Sequence, residues 1–221
     1  MDRLKFLTKR AACEIRFSST PIYYEKKTSV WKKFSQHFPH WNVSYVELEL
    51  SNKQKEMGFK ATSRNAVFVC DNLPTLSNFT DLGHRLLRDY TKELGITSLN
   101  RIGVRIFYLC GAKGSFEDLN KLMIDKMFSF LPPKSKPTDM AYVLNFDQGD
   151  YHFHVALGPV TDEESKRRLD MEEGTFPELS VFFDVDIFQN NLSCDGIETF
   201  LKKSCKKSRE VAQQFGNQIF E

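Results

Sequence analysis

Apolar positions along this chain recur with two spacings, every second residue and about every 3.6 residues, and these spacings predict strands and helices. The first half opens with a strand at ACEIRFS, followed by a helix over residues 21–38 that Pro39 ends. Three strands are predicted next, at VSYVELEL, MGFKATS and NAVFVCD. A second helix covers residues 76–94 and stops at Gly95, because glycine commonly terminates helices.

The same order of elements is predicted again in the second half. A long strand at LNRIGVRIFYLC precedes a helix that Ser115 caps and that Pro132 and Pro133 end. Strands follow at MAYVLNFD, DYHFHVAL and ELSVFFDVDIF, and a tight turn at Gln148 and Gly149 joins the first two. The charged insertion VTDEESKRRLDMEEGTFPE before the last strand is interpreted as a mobile loop, with a helical turn as an option, that a partner could order. Residues 195–220 form the final helix.

Similar strings accompany this repeated order: EIRF and VRIF, KFSQHFP and MFSFLP, AVFVCD and SVFFDVD. We infer an internal duplication, with one α+β repeat over residues 1–98 and another over 99–221, each reading strand, helix, three strands, helix. Helices on one face of antiparallel sheet, as two sheets or one continuous curved sheet, satisfy this pattern. The order resembles the saddle-like folds of the TATA-binding-protein type, and the alternative is one irregular α+β domain without symmetry.

Four strings, EIRFSSTPI, HFPHW, LNRIGVRIFYL and FFDVDIF, occur in this order ahead of the long final helix. The chain thereby resembles a sporadically distributed family of uncharacterised prokaryotic proteins with an early E-x-R-F strand, a central R-x-G-x-R strand and a late D-x-D strand. The resemblance covers most of the chain and implies no particular activity. The scattered distribution of that family implies mobile or defence-associated genes.

Composition narrows the class of protein without selecting a ligand. The 221 residues are 41% hydrophobic, which is enough for a substantial core, and the net charge of +2 argues against a broad nucleic-acid footprint. Five widely spaced cysteines indicate neither a disulfide framework nor a zinc knuckle, and they favour a reducing cytoplasm. No apolar stretch approaches the roughly 18 residues of a spanning helix, so neither export nor membrane insertion is expected. No cofactor is implied.

Two successive strands in the second half carry a candidate metal site, on the condition that they are neighbours in the sheet. His152 and His154 alternate with aromatic residues on one strand, and Asp184 and Asp186 alternate with apolar residues on the next. Imidazoles and carboxylates that converge on one face are typical ligands of a divalent metal. The alternative, which we expect, is a solvated sheet face with His–Asp pairs across the strands and no metal.

The hairpin turn also predicts a register. A two-residue loop at Gln148 and Gly149 places Asn145 opposite His152 and Val143 opposite His154. The opposite face then collects the aromatic and aliphatic residues Tyr142, Leu144, Phe146, Tyr151, Phe153 and Val155.

An anion site is predicted on the corresponding face of the first half. The side chains expected there are Glu14, Arg16, Tyr45, Glu47, Glu49 and Lys60. Arg16 and Arg105 occupy matching places in the proposed repeats, and a pair of guanidinium groups suits the planar recognition of a phosphate or carboxylate. Ordinary ion pairing with neighbouring glutamates is the alternative.

The final helix combines an apolar stripe with a basic face. The apolar stripe runs from Ile197 to Ile219, and the basic residues are Lys202, Lys203, Lys206, Lys207 and Arg209. A solvated helix face is the expected interpretation, because charge runs of this length commonly border a packed helix. Docking of nucleic acid or of an acidic partner is the alternative.

No nucleophile elbow, phosphate-binding glycine loop, dinucleotide fingerprint or zincin helix occurs in the sequence. We therefore expect a cytoplasmic, non-enzymatic binding or regulatory protein that acts through a protein partner, in a prokaryotic defence or toxin-control setting. The first alternative is a metal-dependent phosphodiesterase or nuclease that uses the histidines and aspartates named above, and the second is a nucleic-acid-binding module. The sequence leaves open whether the protein forms a homo-oligomer.

Overall fold

The computed structural model describes residues 4–128, 138–172 and 174–221. Its elements follow the chain in this order: β1 Phe6–Arg16, α1 Ile22–Phe34, β2 His40–Val43, β3 Leu48–Asn52, β4 Met57–Ala61, β5 Asn65–Leu73, α2 Ser77–Glu93, β6 Ser98–Gly111, α3 Phe116–Met127, β7 Tyr142–Gln148, β8 Tyr151–Thr161, α4 Asp162–Leu169, β9 Leu179–Ser193 and, after a 3-10 turn at Cys194–Gly196, α5 Ile197–Phe220. No helix in this part of the chain has both the length and the apolar surface that crossing a bilayer requires.

The nine strands of the described residues form one sheet in the order β2-β3-β4-β5-β1-β6-β9-β8-β7, and every neighbouring pair is antiparallel. The chain is therefore an α+β protein, as predicted. β1 and β6 form the junction between the two halves of the chain, with Cys13 opposite Val104. Outward from this junction the strands follow as β5, β4 and β3 on one side and as β9, β8 and β7 on the other.

Both halves depart from the predicted order of strand, helix, three strands and helix. In the first half four strands follow α1, where three were predicted. The additional strand, β2, lies at the outer edge of the sheet beyond β3. In the second half an additional helix, α4, lies between β8 and β9. Each half therefore contains the predicted series together with one element that the apolar spacing did not indicate.

The predicted strand over residues 43–50 is divided in the structure. β2 and β3 lie on either side of a turn in which the Ser44 N–H donates to the Glu47 carbonyl over 2.9 Å. This turn moves Val46 off the core face, where the alternation places it beside Leu48, and leaves Val46 61% exposed. A spacing of two residues does not distinguish a continuous strand from two strand ends joined by a tight turn.

One face of the sheet is buried against α1, α2, α3 and α5. Alternate strand residues point to this face, and Cys13, Phe68 and Val104, which lie side by side on β1, β5 and β6, are fully buried. Phe68 also stacks on Phe79 of α2, with ring centroids 5.6 Å apart. Burying an aliphatic or aromatic side chain of this size contributes about 1.5–3 kcal/mol, so this layer drives folding.

The opposite face of the sheet, called the open face below, is covered at one end by α4 and the residues that follow it. Leu169 of α4 is fully buried there against Val160 and Phe182. Residues 162–169 of the charged insertion thus form a helix of about two turns, longer than the single helical turn that the sequence left open, and they are not a loop. α4 begins with a capping box in which Thr161 Oγ1 accepts the N–H of Glu164 over 3.2 Å. Because most residues of α4 are charged, composition alone does not predict that its one apolar residue, Leu169, is buried.

The helix ends agree with sequence signals at two positions. Gly95 follows α2 with φ of +67°, a conformation that glycine adopts without steric strain. Ser115 caps α3, because its Oγ accepts the N–H of Asp118 over 3.1 Å. α3 ends at Met127, because Phe128 is already extended, with φ of −117° and ψ of 126°. The prediction that Pro132 and Pro133 end this helix is therefore wrong, and both prolines lie outside the described residues.

Candidate functional site

The open face brings candidate residues from both halves of the chain onto one surface. The β1–β6 junction causes this, because it places Arg16 opposite Arg101 and Glu14 opposite Gly103. The charged and histidine side chains on this face include Arg10, Glu14, Arg16, Lys60, Asp71, Arg101, Arg105, Asp147, His152, His154, Asp184 and Asp186. Acidic and basic groups alternate closely across the face, so ion pairs determine its chemistry.

The strongest of these pairs joins Arg105 of β6 to Asp184 of β9. Arg105 Nε lies 2.8 Å from Asp184 Oδ1, and Arg105 Nη2 lies 2.6 Å from Asp184 Oδ2. The aspartate side chain is 10% exposed, and the hydrogen bonds that Arg105 donates to Asp184 raise the pKa of Arg105. Two parallel charge-assisted hydrogen bonds fix both side chains in one geometry. Both carboxylate oxygens of Asp184 therefore accept hydrogen bonds from Arg105.

Asp186 has different surroundings although it lies two residues further along β9. Its Oδ2 accepts from Arg101 Nη2 over 3.3 Å. Burial raises the pKa of Asp186, and the positive charges of Arg101 and Arg105 offset part of that effect. A partly buried carboxyl with a raised pKa is a feature of binding sites and of structural ion-pair networks alike.

The β7–β8 hairpin has a register that differs from the predicted one. Gln148 pairs with Tyr151, so the two-residue loop consists of Gly149 and Asp150. Gly149 has φ of +60°, which a glycine at the first loop position adopts without strain. The predicted loop is therefore displaced by one residue, and each histidine faces a residue two positions further along β7 than expected.

Both histidines of the hairpin make hydrogen bonds on the open face. His152 Nδ1 donates to Asp147 Oδ1 over 2.7 Å, and His154 Nδ1 donates to Asn145 Oδ1 over the same distance. The His152 ring also stacks on Phe188, with centroids 4.9 Å apart. The intervening residues of β8 point to the core face, as the alternation predicts.

A metal site would need imidazoles and carboxylates within coordination distance of a common point. Among the residues that the structure describes, no group of three or more His, Cys, Asp or Glu side chains has that arrangement. His154 lies opposite Asp186, whereas His152 lies opposite Phe188. Asp184 is bound to an arginine, so the four predicted ligands do not converge.

Arg16 and Arg105, the predicted anion-binding pair, both lie on the open face without facing each other. Arg16 pairs in register with Arg101, and Arg105 pairs with Ala12, four residues away along β1. At about 3.4 Å per residue, the backbone positions of Arg16 and Arg105 are roughly 14 Å apart in the strand direction. Arg16 Nη2 donates to Glu14 Oε2 over 2.8 Å. Each of the two arginines is therefore held by its own carboxylate.

The other residues predicted for the anion site divide into two groups. Lys60 Nζ lies 2.8 Å from Glu47 Oε1, and Glu49 lies opposite Lys60 in the β3–β4 register. Tyr45 instead lies on the turn between β2 and β3, is 77% exposed and stacks on Tyr24 with centroids 5.2 Å apart. The turn thus removes Tyr45 from the open face.

The basic face of α5 is partly neutralised by its neighbours. Lys202 Nζ lies 2.6 Å from Glu198 Oε1, and Lys207 Nζ donates to Gln148 Oε1 over 2.7 Å. Lys206 Nζ lies 3.8 Å from Glu210 Oε1, and Lys203 and Arg209 are exposed members of the same face. Ion pairs four residues apart on a solvated helix, such as Lys202 with Glu198, are screened by water and contribute little to stability.

All five cysteines are buried and unbonded. Burial raises the pKa of their thiols, to about 12 for Cys70 and Cys205 and to about 11 for Cys110. The pKa values of Cys13 and Cys194 are raised by burial as well. Thiols of this kind remain protonated near neutral pH, so they pack as small apolar groups.

An arginine-lined cleft lies where three strands begin or end. Arg16 ends β1, Arg101 lies near the start of β6, and Arg64 immediately precedes β5. The cleft has a volume of about 510 Å³ and is lined by Arg16, Phe17, Thr62, Arg64, Asn65, Asn100 and Arg101. We call it the strand-end cleft.

A second feature is an apolar corner formed by α1, β2 and the turn that follows β2. The α1–β2 corner consists of the exposed residues Ile22, Tyr24, Trp41, Tyr45 and Val46. Trp41 packs against Trp31 of α1, with ring centroids 4.7 Å apart. Its exposed apolar surface distinguishes this corner from the charged open face.

Sequence reasoning misses both features, for different reasons. Arg64 and Asn100 lie in predicted turns or strand starts, and the strand order alone brings them beside Arg16. The alternation assigns Tyr45 and Val46 to a strand, and the signal against that assignment is the turn-favouring Ser44 before them. No family model matches the chain, and no curated protein matches its sequence.

Proposed function

We propose that this is a non-enzymatic binding protein that acts through a protein partner, and that the partner docks on the α1–β2 corner. One observation carries the proposal. Seven large apolar residues among those that the structure describes are exposed, and five of them form this corner. Contiguous exposed apolar surface is typical of protein interaction sites, whereas isolated exposed residues are ordinary.

The corner is held in place before any partner binds. Tyr24 and Tyr45 stack on each other, and Lys27 Nζ donates to the Ser44 carbonyl over 2.6 Å and to the Tyr45 carbonyl over 3.1 Å. These contacts fix the turn against α1. Aromatic side chains that are already ordered lose little conformational entropy on binding, which favours their use as anchors.

The edge position of β2 suggests how the partner docks. β2 pairs with β3 on one side and is the outermost strand of the sheet, so its other side presents backbone groups to solvent. An extended segment can add to such an edge as a further strand. Lys26 and Lys32 are exposed on the adjacent helix. The partner segment we propose is extended, with apolar side chains for the corner and acidic residues opposite these lysines.

The test compares recovery of the partner by the parent protein and by two variants in native prokaryotic cells. The variant Tyr45→Ser with Val46→Ser removes the most exposed part of the corner. Val143→Ser is the matched control, because Val143 is 55% exposed on β7 at the opposite edge of the sheet. We expect the corner variant to recover at least about tenfold less partner, a loss of about 1.4 kcal/mol or more, while the control recovers the parental amount.

A partner recovered equally by the corner variant would contradict the proposal. Hydrogen exchange gives a second readout once the partner is purified. Residues 40–47 should gain protection in the complex, because their backbone groups would pair with the added strand. Unchanged exchange in this segment would contradict strand addition even if the corner variant bound less partner.

The cellular setting belongs to the same proposal. A cytoplasmic location is supported by five unbonded, buried thiols. A role in prokaryotic defence or toxin control rests on the family resemblance, and the identity of the recovered partner tests it. Cell fractionation tests the location.

We also infer that the two halves are repeats of one α+β unit within a saddle-like sheet. Support comes from the strand order, which is the same in both directions from the β1–β6 junction. Superposing β1, β5, β4 and β3 on β6, β9, β8 and β7 should bring α1 onto α3 and α2 onto α5. Helices that fall elsewhere would contradict the duplication.

A further inference from the structure

Three arginines, Arg16, Arg64 and Arg101, line the strand-end cleft, and the sheet register brings their backbones together. Arg16 and Arg101 are direct cross-strand partners, so their side chains rise from neighbouring positions on the open face. The Arg64 carbonyl accepts the N–H of Phe17 over 3.0 Å, which fixes the third arginine beside the end of β1. Like charges placed directly opposite each other are unfavourable, so this arrangement requires negative charge nearby.

The protein supplies part of that negative charge. Arg16 is paired with Glu14, and Arg101 with Asp186 over 3.3 Å. Among the residues that the structure describes, no carboxylate forms an ion pair with Arg64. Three arginines thus face two carboxylates, and the exposed Arg64 leaves the cleft with an excess of positive charge that an anion can approach.

The donors of the cleft are partly oriented in advance. The Arg101 guanidinium lies over the Phe188 ring, 3.8 Å from its centroid, so its plane is fixed. Asn65 donates to Glu14 Oε1 over 3.2 Å, which holds that amide at the cleft wall. Asn100 is exposed at the cleft and adds an uncharged amide. Oriented donors bind an anion with a smaller loss of side-chain entropy than mobile lysines do.

We propose that the strand-end cleft binds a phosphate group, either as the free anion or as the phosphomonoester of a small molecule, through Arg16, Arg64 and Arg101. A phosphate dianion has three strong acceptor oxygens, which matches three guanidinium donors. The cleft volume of about 510 Å³ is in the range of small-molecule sites. This site is separate from the α1–β2 corner, since β3, β4 and β5 lie between them.

The experiment is calorimetric titration of the full chain with three probes: inorganic phosphate, adenosine 5′-monophosphate and adenosine. We expect both phosphorylated probes to bind and adenosine not to bind. Tighter binding of the monophosphate would identify a phosphomonoester site, and equal or tighter binding of inorganic phosphate would identify a site for the free anion. Affinity should rise as the pH passes the second phosphate pKa of about 6, because the dianion then forms.

Three variants separate a defined site from diffuse surface charge. Arg64→Gln should weaken phosphate binding about tenfold, as expected for one lost charge-assisted hydrogen bond. Glu14→Gln should strengthen it, because this change removes a competing carboxylate while preserving the shape of the side chain. Arg88→Gln is the control, since Arg88 is exposed on α2 on the other side of the sheet, and it should change the affinity by less than about twofold.

Absence of binding by both phosphorylated probes would overturn the proposal. Equal weakening by Arg64→Gln and Arg88→Gln would also overturn it, because the binding would then reflect net charge alone. Adenosine binding as tight as that of its monophosphate would exclude phosphate as the recognised group. None of these results bears on partner docking at the α1–β2 corner, so the two proposals fail independently.

Discussion

Asp184 and Asp186 show how two identical side chains on one strand acquire different properties. Both point to the open face and both meet arginines of β6. Asp184 accepts two hydrogen bonds from Arg105, whereas Asp186 accepts one longer hydrogen bond from Arg101. Burial therefore dominates at Asp186 and raises its pKa. The two carboxylates therefore differ in how many hydrogen bonds they accept from β6, although they are the same residue type on one strand.

Replacing Asp186 by Asn should make the stability less dependent on pH. The folded protein holds the Asp186 proton more tightly than the unfolded chain does, because the pKa is raised. Its contribution to the free energy of unfolding therefore falls as the pH rises from the ordinary carboxyl pKa through the raised value. We expect Asp186→Asn to be more stable than the parent at pH 7 and equal to it near pH 3, below the ordinary carboxyl pKa of about 3.9.

Urea unfolding at both pH values measures this effect. Asp184→Asn is the matched control, and it should be destabilised at pH 7 by about 1–3 kcal/mol because it loses one side of a charge-assisted pair. A loss of stability at pH 7 in both variants would show that the Arg101 contact outweighs the burial of Asp186.

The two histidines of β8 should contribute little to stability. Their hydrogen bonds to Asp147 and Asn145 lie on the exposed face, and glutamine can replace an imidazole in such contacts. We expect His152→Gln with His154→Gln to lower the free energy of unfolding by no more than about 1 kcal/mol. Phe153→Ala, on the same strand but 2% exposed, should cost about 3–5 kcal/mol.

Thermal melts with and without a chelator complete this comparison. Two results together would contradict this expectation: a stoichiometric metal that is lost in the double variant, and a lower melting temperature in chelator. They would support the alternative of a metal-dependent hydrolase.

Among the elements, the turns determine register and the helix ends determine length. Gly149 fixes the loop of the β7–β8 hairpin and so decides which residue each histidine faces. Gly95 ends α2, with its N–H donating to the Lys92 carbonyl over 3.2 Å and the Ile96 N–H donating to the Thr91 carbonyl over 2.8 Å. A single backbone conformation thus controls each of these connections.

Replacing Gly95 by Ala should destabilise the protein by about 1 kcal/mol, because φ of +67° is unfavourable for a residue with a Cβ. No heavy atom lies within 4 Å of the added Cβ, so backbone strain is the cause. Gly58→Ala is the control, since its Cβ would meet the Leu50 carbonyl oxygen at an ordinary 3.6 Å. Equal destabilisation of both variants in urea would contradict this account.

For the whole molecule, the pairing of β1 with β6 has the largest consequence. It joins the halves into one sheet, and the core residues of both halves form one continuous cluster under the same helices. α2 from the first half also packs against α5 from the second half. On the helix-covered face neither half has a core that is closed off from the other, and the small separate cluster around Leu169 lies on the open face.

We therefore expect the two halves to unfold together. Trp31 and Trp41 are the two tryptophans of the chain, so their fluorescence reports on the first half. Buried Cys194 and Cys205 report on the second half through their reaction with a thiol reagent. Both signals should have the same urea midpoint, as in a two-state transition. Labelling of the two cysteines at lower urea, with unchanged fluorescence, would show that the halves unfold separately.

The sequence by itself determined the types of most elements and the α+β class. A strand or helix that packs on a core must repeat its apolar residues every two or every 3.6 positions, and this requirement is local. The same requirement placed the histidines of β8 on the face opposite the buried Phe153. Local chemistry likewise predicted the end of α2 at Gly95 and the cap of α3 at Ser115.

Tertiary structure alone decided which strands are neighbours, and with them the candidate sites. The spacing of apolar side chains indicates to which face of its own strand a residue points. Which strands become neighbours depends instead on the free energy of the whole packed structure. The β1–β6 pairing placed Arg16 beside Arg101 and separated it from Arg105. One buried residue, Leu169, ordered a helix whose composition is almost wholly charged. Neither outcome is encoded within a short segment, because each depends on surfaces that the rest of the chain provides.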